Sequence, residues 1–218
     1  MPSRPLELTL ELTPRARVDV IDVREAISSR FGDVLDVYPR ALCCSFHTTA
    51  GYLDPGVASR LNQGSEGVMP YIELFRTMFP EGAGYEHDKL ERRTELSDDQ
   101  KPQEPRNADS HLAFMAGALR TCVAYQNRPG EPVSFIDLDG MHKGHPRRRL
   151  TSVLGYSVEE PVGNVRIAVP VSGHAVDSVN LKNPKFGIYQ QCQALVATHG
   201  VTKGRTASRW RRASTTPG

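Results

Sequence analysis

The 218-residue sequence has no apolar run approaching the roughly 20 residues that a membrane-spanning helix needs. Its opening stretch, MPSRPLELTLELTPR, alternates apolar and polar residues from the outset, so a secretory leader with a basic start and an apolar core is not expected. Charge of one sign is missing too, with 27 Lys and Arg against 25 Asp and Glu and a formal net charge of +2. A uniformly basic body interleaved with aromatics, the mark of a nucleic-acid binder, is absent, and no such partner is expected. No glycine-rich phosphate loop of the Walker or dinucleotide kind occurs, and no Gly-x-Ser-x-Gly nucleophile elbow. The four cysteines include no CxxC pair of the sort that seats zinc. Cys43 and Cys44 are adjacent, a spacing that rarely forms a disulfide, while Cys122 and Cys192 stand apart in apolar surroundings. These absences point to a reduced, cytoplasmic protein without a membrane partner.

What is present is an ordinary globular composition, 39% hydrophobic and 24% charged. A chain of this length buries about 70% of its unfolded surface, so it needs no disulfide to hold a core. Glycine (18) and proline (16) are frequent enough to predict many turns and short elements. LELTLELT, Leu6 to Thr13, alternates with period two and predicts a half-buried strand. A second short strand is expected at Arg17 to Asp22, and Asp22 to Phe31 turns to helical spacing with Gly32 as a stop. Arg40 to Phe46 is a continuous apolar run, expected as a buried strand delivering His47 at its end.

Gly67 to Phe79 places Tyr71, Leu74, Phe75 and Met78 at helical spacing, with Pro70 in its first turn and Pro80 at its end. Residues 86–104, with seven acidic and four basic side chains, predict a solvated loop. Asp109 to Leu119 predicts a helix capped by Asn107 or Asp109. Strands are expected at Thr121 to Tyr125, Pro132 to Leu138, Leu150 to Val158 and Asn164 to Val171, and a last helix at Phe186 to His199. The pattern predicts an α+β fold of mainly antiparallel sheets with a few helices, in a single domain over 1–200. Residues 201–218, where Lys203, Arg205, Arg209, Arg211 and Arg212 face no acid, predict a disordered basic tail.

Three histidines stand where elements begin or end: His47 in SFHTTAG, His87 in GYEHD and His111 in NADSHL. Neutral imidazoles are common transition-metal ligands, and three of them leave coordination positions open for water or substrate. Their spacing alone does not distinguish ligands from capping or surface histidines. The pair His142 and His145 in HKGH reads as an exposed loop pair more readily than as a second metal site. Cys43 and Cys44 precede His47, but alternation lets only one of them share its face, and core packing is the simpler role for both.

The order and separation of HTTAG (His47 to Gly51), GYEHD and NADSHLAFMAGAL resemble the YjbQ family, named for a weak, secondary thiamine-phosphate synthase activity. The resemblance is closest over residues 5–120 and diverges over 121–200. It implies an α+β fold, a homotrimer, and a divalent metal, zinc foremost, held by His47, His87 and His111. It also implies Asp109 as an acid/base or supporting group, and Thr48 and Thr49, beside Gly51, as groups orienting a phosphate or metal-bound water. Family members commonly carry an Asn-Glu pair after HTTAG, where this chain has Tyr52-Leu53-Asp54-Pro55-Gly56. They also carry a Leu-Gly-Thr-Trp-Gln segment, where this chain reads PGEPVSFIDLDG and keeps its one tryptophan, Trp210, in the tail.

The function expected on these grounds is a metal-dependent enzyme acting on a small anionic or phosphorylated metabolite, with thiamine-phosphate synthase as a side activity. Asp109 or Asp54 would move a proton, while Asn107, Thr48, Thr49, Arg147, Arg148 and Arg149 would hold the substrate, the arginines by bidentate hydrogen bonds. The alternative is a non-catalytic, metal-stabilised binding module whose active site has decayed.

Overall fold

The computed structural model describes residues 4–61, 64–94, 96–169 and 183–206. The chain divides into two compact units, Met1–Ser157 and Val158–Gly218. In chain order the first unit begins β1 (Leu6–Leu12), β2 (Asp19–Asp22), α1 (Val23–Phe31), β3 (Arg40–Ser45), β4 (Ala50–Leu53), α2 (Pro55–Ala58) and α3 (Ser65–Met78). It continues with α4 (Ala108–Ala116), β5 (Leu119–Arg120), β6 (Cys122–Gln126), β7 (Ser134–Asp137), the hairpin strands β8 (Met141–His142) and β9 (His145–Pro146), and β10 (Arg149–Tyr156). The expected α+β fold is this unit, and its sheets are antiparallel throughout.

Alternation in β1 buries Leu8, Leu10 and Leu12 and leaves Glu7, Thr9 and Glu11 exposed, as a strand with one face on the core must. It opens a four-stranded sheet of order β1-β10-β3-β6. A second sheet, β2-β7-β4-β5, lies against it. Leu8, Leu10, Cys43, Val123 and Val153 of the first sheet meet Ala50, Tyr52 and Phe135 of the second in one cluster. On its other face the second sheet presents Leu53, Leu119 and Ile136 to Val68 and Ile72 of α3 and Ala113 and Phe114 of α4. The second sheet is therefore the middle of three layers. β4 (AGYL), buried at every position, went unforeseen because a strand covered on both faces shows no alternation.

The core between the sheets is not wholly apolar. Arg149, at the start of β10, is 1% exposed and donates to both oxygens of Asp137, 0% exposed, at 2.6 and 2.8 Å. It also donates to the Asp139 carbonyl. Tyr52 and Thr151 hydrogen-bond through their hydroxyls, and Thr151 Oγ1 donates to the Cys44 carbonyl. These bonds satisfy every charge the sheets enclose here, which burial demands.

After β7 the chain passes Gly140, whose amide donates to the Arg17 carbonyl and whose carbonyl accepts from the Arg147 amide. A Cβ at Gly140 would lie 2.5 Å from the Ala16 oxygen and 2.7 Å from the Pro14 Cβ, so only glycine permits this approach. The hairpin β8–β9 then turns on Lys143 (φ 50°) and Gly144 (φ 79°), a two-residue turn with both φ angles positive that matches the strand twist.

In the second unit the last helix, α5 (Ile188–Thr198), is entered through Gly187 at φ 61°. The strand expected at Asn164 to Val171 is not formed over 164–169, and 170 and 171 lie outside the described residues. Apolar alternation states which face a strand would bury, not whether a partner strand exists to bond it. Of the basic tail, 201–206 has no regular structure and Arg205 pairs with Glu159, while 207–218 lies outside the described residues. Among the described residues no helix is long and apolar enough to cross a membrane.

Replacing Asp137 with alanine strands the Arg149 charge in the core and is expected to lower the free energy of urea unfolding by about 3–5 kcal/mol. Breaking the exposed Arg128–Glu131 pair with Arg128→Ala is expected to change it by less than about 1 kcal/mol. Equal midpoint shifts for the two variants would contradict the account of the core.

Candidate functional site

His47 sits in the tight connection from β3 to β4. Ser45 Oγ donates to the Ala50 carbonyl at 2.6 Å and accepts from the His47 amide at 3.2 Å, closing the turn. His47 Nε2 accepts the Leu150 amide at 2.8 Å, which puts the proton of the neutral ring on Nδ1. Burial, followed by the charge of Arg149, pushes the imidazole below its ordinary value.

His87 and His111 are brought together by a helix cap. Asn107 occupies the N-cap position of α4, but its side chain makes no capping bond. The Ala108 amide donates instead to Asp88 Oδ1 at 3.0 Å. Asp88 ends a 3-10 turn, Glu86–Asp88, so the residue before it, His87, lies over the first turns of α4. The His87 and His111 rings meet edge to face, centroids 5.0 Å apart at 70°. His87 Nε2 is buried with no hydrogen-bond partner. Burial, then the neighbouring His87, holds the His111 imidazole below its ordinary value. The loop expected over 86–104 thus contains ordered 3-10 turns at Glu86–Asp88, Leu90–Arg92 and Lys101–Gln103.

Polar side chains from the end of β7 and the start of α4 surround this pair. Asn107 Nδ2 donates to Asp139 Oδ2 at 2.7 Å, leaving the Asn107 Oδ1 buried and unpartnered. Arg147 also bonds Asp139, and Ser110 Oγ donates to the Leu138 carbonyl at 2.7 Å. Burial raises the Asp139 carboxyl above its ordinary value despite the lowering by Asn107 and Arg147. Asp109 is gripped on both oxygens by Arg17 at 2.9 Å, and the same guanidinium reaches Glu81.

Of the residues expected from sequence, the fold gathers His87, His111, Asn107 and Asp109 at the start of α4, with Arg147 joined to them through Asp139. The three-histidine set is not assembled as one cluster. Among the described residues no group of three His, Cys, Asp or Glu side chains is placed to hold an ion, and His47 Nε2 is engaged by Leu150. Nor do the three arginines form one anion patch, because alternation turns Arg148 away from the other two and each of those is taken up by an acid. Arg149 is inside on Asp137, Arg148 is outside beside Glu11 at 3.4 Å, and Arg147 is on Asp139. Asp54 caps α2 through the Gly56 amide and pairs with Arg120. Thr49 is buried and Thr48 exposed.

Sequence reasoning missed Arg17, Asp88, Asp137 and Asp139. The alternation of Asp137 and Asp139 in FIDLDG was a usable signal, since it puts both carboxylates on one strand face. Arg17, 92 residues from Asp109, had none.

Comparison with family models finds no match, and comparison with curated proteins finds none. The fold is similar to that of a YbjQ-like protein of unknown function from Sulfolobus solfataricus P2, at TM-score 0.47 and 16% identity, covering 71% of this chain and 99% of that one. It is similar to a hypothetical protein from Aeropyrum pernix K1 at TM-score 0.46 and 15% identity, covering 70% and 99%. An uncharacterised conserved protein of the YjbQ family from Clostridium acetobutylicum matches at TM-score 0.42 and 16% identity, covering 67% and 97%. At these identities the likeness concerns the chain trace, and no activity or ligand is carried over from it.

An imidazole in the unfolded chain titrates near 6.5, and His47 in the folded chain titrates lower. Below that value the unfolded chain therefore binds more protons, so stability is full above about 6.5 and falls as pH drops toward the folded pKa. Protonating Nε2 also removes the acceptor of the Leu150 amide. Urea midpoints on either side of this value should fall on acidification, and less so in His47→Asn. An equally steep fall in the variant would exclude His47 as a source.

Proposed function

We propose that the His87–His111 pair belongs to a divalent-metal site, zinc foremost, in a metal-dependent enzyme acting on a small anionic or phosphorylated metabolite. The observation that carries this reading is the buried, unpartnered Nε2 of His87, whose ring meets that of His111 edge to face. A buried nitrogen without a partner costs about 1–3 kcal/mol, and a metal ion accepts such a lone pair. Burial also favours the neutral His111 ring, the form that ligates. The two imidazoles fit such an ion; His47, its Nε2 engaged, is not counted among the ligands.

A bound zinc-like ion supplies Lewis acidity toward a phosphoryl or carbonyl oxygen and lowers the pKa of water it holds. The remaining work falls to the chain's own side chains. Asp139, with its carboxyl raised by burial, is the acid of the site; its Oδ2 accepts from Asn107 Nδ2 and from Arg147, so the proton it holds belongs on its other oxygen. Asp109, clamped on both oxygens by Arg17, ties the start of α4 to the segment before β2. Arg147, salt-bridged to Asp139, is the cation that an anionic substrate would meet there. Thiamine-phosphate synthase chemistry enters only as a side activity, and the homotrimer implied by the motif resemblance is part of the same proposal.

One observation favours the second reading, a metal-stabilised binding module. The acid and the cation that turnover would use, Asp139 and Arg147, are already paired with each other. Elemental analysis and zinc titration of the purified protein are expected to find bound metal that His111→Ala loses. No bound metal, with a melting curve unchanged by chelator, would overturn both readings. Turnover of a panel of phosphate esters by the metal-loaded protein, lost in a folded His111→Ala variant, supports the enzyme. A variant that only melts earlier, with no turnover in either protein, supports the module.

A further inference from the structure

The outward face of the first sheet carries two thiols that no part of this chemistry uses. Cys44 on β3 and Cys122 on β6 are register partners, and their sulfurs lie 3.2 Å apart. The Ser45 amide donates to the Thr121 carbonyl at 2.7 Å. In an antiparallel ladder, a bond from the residue after one partner to the residue before the other marks a non-hydrogen-bonded pair. In such pairs the Cα atoms are about 4.5 Å apart and the side chains approach most closely. That spacing falls within the disulfide range of about 4.4–6.8 Å.

The other two cysteines are not register partners of this pair. Cys43 points the opposite way into the core, where burial pushes its thiol up to about 12. Cys192 is on α5, in the second unit. The two facing thiols also differ from each other. Cys122 is exposed to reagents, whereas Cys44 is half-buried, and its hydrogen bond with Cys122, followed by burial, raises its thiol well above the ordinary value. One sulfur is reachable and the other is held in contact behind it, which is the arrangement of an attacking and a resolving thiol.

We propose that Cys44 and Cys122 are a modification site, a cross-strand dithiol that hydrogen peroxide oxidises to a disulfide and a small dithiol reduces again. In the first step the Cys122 thiolate attacks one peroxide oxygen. An S–O bond forms, the O–O bond breaks, and the departing hydroxide takes up a proton as water. In the second step the Cys44 sulfur attacks the sulfenic sulfur and loses its proton, the S–O bond breaks and a second water leaves. The two thiols together give up two electrons and the peroxide accepts them. The new bond pins the end of β3 beside Ser45, the residue that closes the turn to His47.

Brief treatment of the full chain with peroxide, followed by alkylation, trypsin and tandem mass spectrometry, tests this. The expected product is a peptide spanning 41–60 joined to one spanning 121–143 through Cys44 and Cys122, lacking two hydrogens and released by dithiothreitol. Cys43→Ser and Cys192→Ser should keep the link, and Cys44→Ser and Cys122→Ser should lose it. The wild-type spectrum assigns the linked sulfurs by itself, so the test stands even where a variant folds poorly. Over-oxidation of Cys122 with Cys44 still alkylated, a link through Cys43 or Cys192, or four thiols that all remain alkylatable would each overturn the proposal.

Discussion

The buried pair between Arg149 and Asp137 is the interaction on which the geometry of this protein turns. A guanidinium and a carboxylate enclosed between two sheets gain little net stability over an apolar pair of the same volume, because each must first be stripped of water. What such a pair fixes is position. Arg149 belongs to the first sheet and Asp137 to the second, so their bidentate contact sets how far along its axis β10 sits against β7. The neighbours of these two residues inherit that setting. Arg147 reaches Asp139, and the Leu150 amide reaches His47, only because Arg149 between them is anchored.

From that anchor the polar groups form one connected string across the molecule. Asp139 links Arg147 to Asn107, Asn107 opens α4, and α4 carries Asp109 and His111. Arg17 ties Asp109 to the segment whose carbonyl receives the Gly140 amide, and Gly140 precedes the hairpin that leads back to Arg147. The closed circuit explains why Gly140 tolerates no side chain: its close approach to Pro14 and Ala16 keeps the two ends of the string within reach. Chemistry at the start of α4 therefore depends on backbone contacts well outside it.

The sequence was informative wherever one residue's surroundings follow from its own strand or helix. The alternation of β1, the helical spacing of α3 and the apolar run of β3 each announced an element within a residue or two of its bounds. It was silent where an element is covered on both sides, as with β4, or where a partner strand decides, as at 164–169. The three arginines after the hairpin looked like one charge cluster because a sequence does not show which way a strand's faces point. The motifs located two histidines that do meet, but the reason they meet lies in Asp88, an acid among several in a charged stretch.

That cap has a further consequence for how the histidine pair exists at all. His111 rides on a helix packed into the core, whereas His87 is held over it from a run of short 3-10 turns whose side chains are mostly at the surface. Segments of that kind open locally at a free-energy cost well below that of unfolding the sheets. The two rings are thus joined by an equilibrium of their own, biased by one carboxylate on one amide. Anything that binds both imidazoles adds its binding free energy to that local closure, and it orders the acidic segment before it adds to the stability of the whole.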